Sequence, residues 1–292
     1  MNKWIIRVTG ILILSSFILG AFAQSEIYEI RVYTLKSSRQ IDATDLYLKD
    51  VWMPAMHRMG LKNIGVFKPI SNDTASLKQI VVLVPYISLD VWYKTKTSIN
   101  GDQNYQDNSK SFLDADTAQL PYQRISSTLL EAFPYQLKLI PTALKSDTGA
   151  IYELRSYESP TEELHRLKVE MFNEGGEIAL FKRLDFQAIF YADVLSGSRM
   201  PNLEYMVVFK DLTARNEHWK AFGNSPEWKK VSTDPAYRNN ISVNHIDSYL
   251  MHRTSYSDWQ NVGRASAPPI SYPFVCGVRG CRCDPYPPYG CF

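Results

Sequence analysis

Ile27-Tyr28-Glu29-Ile30-Arg31-Val32-Tyr33 and Ile151-Tyr152-Glu153-Leu154-Arg155-Ser156-Tyr157 are two spellings of one heptad. Five positions are identical and a sixth exchanges Ile for Leu, so the chain reads as an internal duplication. The parallels continue in order. Asn63-Ile64-Gly65-Val66-Phe67 answers to Phe186-Gln187-Ala188-Ile189-Phe190, and the apolar run Ile80 to Val84 answers to Tyr205 to Phe209. A short helix with an aromatic follows each run, around Trp92-Tyr93 and Trp219, and each half closes on a β-rich segment, near Leu129 to Leu139 and Val243 to Met251. The order in each half is strand, helix, strand, strand, helix, strand.

That order is the ferredoxin-like βαββαβ unit, an antiparallel sheet with helices on one face and the other face bare. The expected fold class is therefore α+β, two tandem ferredoxin-like repeats at 25–145 and 146–259 packing sheet to sheet as a pseudo-dimeric α-β barrel. Helix signals support it. Leu164, Leu167, Met171, Ile178 and Phe181 form an apolar stripe behind a predicted capping box, with Ser159 as N-cap, Pro160 first and Glu162 third. Gly175-Gly176 should kink or break that helix or allow close backbone packing, as Pro54 should bend its counterpart with the stripe Ile41, Leu48, Trp52, Met56 and Met59. Asp211 and Ser225 read as further N-caps. The polar run between Ile99 and Pro121 has no second-half counterpart and reads as a loop with a short helix.

Strand alternation selects the candidate site. Tyr28, Ile30 and Val32 point one way, Glu29, Arg31 and Tyr33 the other. If the apolar set meets the helices, Glu29, Arg31, Tyr33, Glu153, Arg155 and Tyr157 line a space between the sheets. Buried charges must be paired, so these residues form either Glu-Arg pairs that dock the halves or a polar ligand cavity. Arg155 should lie within reach of Glu153 or Glu29.

Met1 to Ala23 carries Lys3 and Arg7, an apolar stretch Ile11 to Leu19, and Ala21-Phe22-Ala23, the pattern of a secretory signal peptide. The expected location is thus exported, periplasmic or extracellular, with no membrane association after cleavage. Without Lys3 and Arg7 the formal charge falls from +2 to zero, which leaves no basic footprint for nucleic acid. Cys276, Cys281, Cys283 and Cys291 all lie in a Pro- and Gly-rich tail, 260–292, expected to be poorly ordered, where two disulfides with three possible pairings fit an oxidising compartment better than a zinc site.

Chemistry-bearing motifs are otherwise sparse. No nucleophile elbow, phosphate loop or dinucleotide fingerprint occurs in the repeats, and no His-x-x-x-His pair supports a metal site. His165 reads as solvated, and Glu174 with Glu177 as a solvated helix end in preference to an acid-base pair.

The chain resembles the NIPSNAP family across roughly Ser25 to Trp259. The resemblance rests on Tyr-Glu-Leu-Arg-x-Tyr at 152–157, Asn173-Glu174-Gly175-Gly176-Glu177-Ile178, Pro201-Asn202-Leu203-Glu204-Tyr205-Met206 and the Trp219 to Trp228 segment. It implies two dimeric α-β barrel domains in tandem and a binding or interaction role with an unknown small molecule or protein, possible homo-oligomerisation included. The wider superfamily implies the alternative of a cofactor-poor monooxygenase or a haem-binding enzyme. No cofactor is expected, haem being the one the resemblance would admit, with His57 as its candidate axial ligand. No catalytic residue carries over.

Overall fold

Each copy of the heptad forms the middle strand of its half. In the computed structural model, which describes residues 24–141 and 149–259, β1 (Ile27–Leu35) lies between β3 (Lys78–Tyr86) and β4 (Arg124–Ala132). Likewise β5 (Ile151–Glu158) lies between β7 (Asn202–Phe209) and β8 (His245–Arg253). The outer strands β2 (Gly65–Pro69) and β6 (Gln187–Ser196) complete a strand order β2-β3-β1-β4 on one side and β6-β7-β5-β8 on the other. Every pairing is antiparallel.

The halves meet along their edges. Pairing of β2 with β8, where Lys68 stands opposite His252, and of β4 with β6, where Glu131 stands opposite Asp193, closes one eight-stranded barrel. Closure satisfies the edge N–H and C=O groups that an open sheet would leave free. A barrel of this size is just wide enough for side chains to fill, and apolar ones fill its middle. Tyr28 packs on Phe190 and Phe67 on Tyr152, with ring centroids 5.1 and 5.0 Å apart. Trp259 lies against Phe67 and donates its indole N–H to Asn63 O at 2.8 Å. Gly65 is needed beside them, because a Cβ there would stand 2.6 Å from the Phe67 ring.

The helices coat the outside of the barrel. In the first half these are α1 (Ser38–Tyr47), α2 (Met53–Arg58), α3 (Leu89–Ser98) and α4 (Gln103–Leu113). A π-helical turn, Leu48–Trp52, joins α1 to α2. It stands where Pro54 removes a backbone donor, so the proline widens the helix by a residue and does not end it. The region expected to hold a short helix contains α4, whose Tyr105 and Phe112 are buried.

In the second half the helices are α5 (Glu162–Asn173), α6 (Glu177–Arg183), α7 (Leu212–Asn224), α8 (Pro226–Ser232) and the single turn α9 (Asn239–Ser242). Asp211 and Ser225 are N-caps as expected. The cap of α5 is Thr161, not Ser159. Ser159 donates its backbone N–H to Pro201 O and so continues the strand, which delays the helix by two residues. Gly176, at φ +86°, divides α5 from α6 in a conformation that favours glycine.

The expected assignment of faces is reversed. Tyr28, Ile30 and Val32 point into the barrel, while Glu29, Arg31 and Tyr33 point outward beneath the helices. Glu153, Arg155 and Tyr157 do the same in the second half. The physical reason is the supply of partners: the helices bring Trp and cationic side chains to a buried carboxylate, whereas the barrel interior beside β1 is apolar. Among the described residues, no helix is long and apolar enough to cross a membrane. The segment 1–23 and the four cysteines lie outside the described residues.

Candidate functional site

Glu29 and Glu153 are fully buried, and each is surrounded by donors from the same structural positions. Glu29 accepts from Trp92 Nε1 (3.3 Å) and Lys96 Nζ (2.9 Å) on α3, Ser127 Oγ (2.8 Å) on β4 and Tyr86 Oη (3.1 Å) on β3. Glu153 accepts from Trp219 Nε1 (2.8 Å) and both Nε and Nη2 of Arg215 (2.9 and 2.7 Å) on α7, and from Ser248 Oγ (2.7 Å) on β8. Ser127 and Ser248 occupy the same register, opposite Arg31 and Arg155 respectively.

Burial alone would raise both carboxyls. For Glu29 the charges of Arg31 and Lys96 and the hydrogen bonds of Lys96 and Ser127 overcome it, and the group is held below the ordinary carboxylate range. For Glu153 the bonds from Arg215, Ser248, Trp219 and Arg155 hold it down to about 2. Both glutamates are therefore ionised anchors that tie the helix layer to the barrel.

The two arginines differ. Arg155 Nη1 donates to Glu153 at 2.8 Å, and its guanidinium stacks on Trp219, 4.6 Å from the ring centroid. Arg31 instead lies over Trp52 (5.5 Å) and Tyr33 (5.7 Å), and its Nη2 donates to Tyr33 Oη at 3.3 Å. The buried Nε–H of each arginine has no protein partner. Arg31 borders a cavity of about 230 Å³ between the barrel wall and the helices, whose lining includes Tyr33, Trp52, Tyr86, Lys96 and Tyr105. Of the six residues expected to line a cavity, Arg31 and Tyr33 border this one, on the face opposite to the one expected, while Glu29, Glu153, Arg155 and Tyr157 are packed in the wall beneath the helices.

In the second half the space beside Tyr157 is packed. Lys168 of α5 and Glu177 of α6 form an ion pair at 3.0 Å, each 2% exposed, and Lys168 Nζ sits 4.9 Å from the Phe172 ring and 5.5 Å from that of Trp228. Phe172 in turn packs on Tyr157 and Tyr205. Glu177 is thus buried in an ion pair where a solvated helix end was expected, because the break at Gly175-Gly176 turns it inward.

The histidines take structural places. His57, the candidate axial ligand, binds Asp258 through Nε2 at 2.9 Å and does not line the cavity. His165 is buried against Asp193 (Nε2 to Oδ1, 2.6 Å) where a solvated position was expected, since α5 lays it on β6. Sequence reasoning missed Lys96, Arg215, Ser127, Ser248 and Lys168. A signal for the first two existed: each helix after the apolar strand carries a tryptophan and a cation four residues apart, Trp92 with Lys96 and Arg215 with Trp219.

Two solved structures share the overall fold: a Fusobacterium nucleatum protein with a provisional monooxygenase name (10% identity, TM-score 0.53, covering 80% of this chain and 94% of that one), and a Lactobacillus acidophilus protein similarly named (8%, 0.51, 79% and 94%). A NIPSNAP-like domain protein from Burkholderia xenovorans aligns with 37% of this chain and 88% of its own at 20% identity and a TM-score of 0.32. At such identities the likeness speaks for fold alone. No curated protein matches the sequence. The NIPSNAP family model matches residues 152–258.

Proposed function

We propose that this protein is an exported small-molecule-binding module in which two tandem ferredoxin-like repeats, 25–145 and 146–259, have divided their labour. The second repeat is packed at the position equivalent to Arg31, and the first keeps its ligand cavity there. The observation that carries this reading is the contrast at equivalent positions: one Glu-x-Arg-x-Tyr frame borders an open space of about 230 Å³, the other an ion pair and stacked aromatics. Helix α4 closes the first cavity with Tyr105 and Phe112.

The lining defines the ligand. Arg31 and Lys96 outweigh the single charge of Glu29, and Arg31 has a donor to spare. Tyrosines and Trp52 supply aromatic walls. The volume lies below the ~300 Å³ at which sites for drug-sized ligands begin, which suits a single-ring aromatic anion. A thermal-shift screen of benzoate, salicylate and 4-hydroxybenzoate, with benzylamine as the cationic control, tests this. The carboxylates should raise the melting temperature of the wild type and not of Arg31→Met; stabilisation by benzylamine alone would overturn the reading. Oxygen consumption with whichever carboxylate binds separates simple binding from the monooxygenase alternative.

A further inference from the structure

The inner face of the barrel is apolar around Tyr28 but polar groups gather at one end. Strands β5, β7 and β8 place two rows of polar residues there: Glu204, Ser156 and Asp247 are cross-strand neighbours, and Asn202, Glu158 and His245 form the next row. By alternation they face the same way as Leu154, Met206 and Met251 of the barrel core. Beside them opens a cavity of about 160 Å³, separate from the one at Arg31 and on the opposite face of the wall. Ile30, Val32, Val81 and Leu154 give it apolar walls interrupted by Gln79, Ser126 and Thr128, while Arg199, Asn202, Glu204 and Asp247 give it a charged end.

Charge at that end is unbalanced. Arg199, held at φ +69° in the loop between β6 and β7, pairs with both Glu158 and Asp247, and His245 Nε2 adds a contact to Asp247 at 3.1 Å. Those contacts leave Glu204 aside: among the described residues its carboxylate has no hydrogen-bond partner, although it lines the cavity. Asn202 is 2% exposed, and with its Nδ2 donating to Ser156 Oγ at 3.0 Å its Oδ1 is left without a donor. One buried acceptor without a donor, Asn202 Oδ1, and the half-buried, unpartnered carboxylate of Glu204, beside a partly apolar chamber and an excess of carboxylates, call for a cationic donor with a short apolar body.

We propose that this end of the barrel binds a small organic cation, an alkylammonium whose N–H groups take the free acceptors of Glu204 and Asn202 while its short chain enters the apolar space below. An ammonium offers three donors and one positive charge, which matches the two acceptors and the net negative end. Burial lifts Glu204 to about 7, with Arg199 opposing and Asp247 adding to the lift, while Glu158 and His245 stand in the next row of the same face. Binding should accordingly strengthen as the pH rises through 7, where Glu204 ionises.

The test is a calorimetric titration of the full chain with butylammonium chloride, beside butanol and butyrate as neutral and anionic controls and zinc chloride as a metal control. Saturable binding of butylammonium alone, weakened roughly tenfold or more by Glu204→Gln, supports the site. Should that variant fail to fold, Thr128→Leu, which fills the chamber from β4, must abolish binding in its place. No saturable binding up to about 10 mM, equal binding by butanol, binding of zinc only, or full affinity in both variants would overturn it.

Discussion

Arg155 and Glu153 stand two residues apart on one strand, and on the same face of it, joined by a hydrogen bond of 2.8 Å. Arg31 stands in the same relation to Glu29 but spends its hydrogen bond on Tyr33. One arginine is thus part of the ionic anchor, and the other leans over a cavity beside it. Replacing Arg155 by Met should cost about 1.5–3 kcal/mol, the value of a hydrogen bond to a charged group, since Arg215, Trp219 and Ser248 still hold Glu153. Arg31→Met should cost less, because Lys96 and Ser127 keep Glu29 satisfied. Urea unfolding of the two variants checks the order.

Acid should reveal the second-half anchor. The Glu153 carboxyl is held at about 2, well below its ordinary value of 4.5, so the folded state binds its proton later than the unfolded state as the pH falls. Its contribution is fully present above pH 4.5 and is lost between there and about 2. Glu153→Gln should flatten that part of the stability profile while lowering stability at neutral pH, as read by unfolding midpoints across an acid series.

Glu204 should act with the opposite sign. Its pKa is raised to about 7, so between pH 4.5 and 7 the folded state holds a proton that the unfolded state has released. Stability contributed by the neutral carboxyl is present below 4.5 and declines as the pH rises toward and past 7. A Glu204→Gln variant should therefore gain stability over wild type at pH 8 and differ little from it at pH 4, when both are followed by thermal unfolding.

The Lys168–Glu177 pair, 2% exposed on each side, predicts strong coupling. Removing one partner strands a buried charge, and Lys168→Met or Glu177→Leu alone should cost about 3–5 kcal/mol. The double variant Lys168→Met/Glu177→Leu should be less destabilised than either single variant, because the desolvation cost leaves with both charges. A double-mutant cycle by chemical denaturation measures the coupling; additive effects would contradict it.

Much of the topology was legible because the duplicated heptad aligns the elements that follow it. What the sequence could not settle was the direction of each strand face. In a closed barrel coated by helices both faces of β1 and β5 are buried, so Tyr28 and Tyr33 are equally covered and alternation alone does not distinguish inside from outside. The donors that settle it, Lys96 and Ser127 for Glu29 and Arg215 and Ser248 for Glu153, come from 62 to 98 residues away in the chain. The polar barrel end escaped notice for the same reason, since Glu204, Ser156 and Asp247 become neighbours only through strand register.

The division of labour between the two halves is tested most directly by a fluorine NMR titration of 4-fluorobenzoate with the wild type, Arg31→Met and Arg155→Met. Saturable binding by the wild type and by Arg155→Met, with loss of binding in Arg31→Met, is the expected result. Binding that survives in Arg31→Met and disappears in a folded Arg155→Met would place the ligand in the second half and contradict the account.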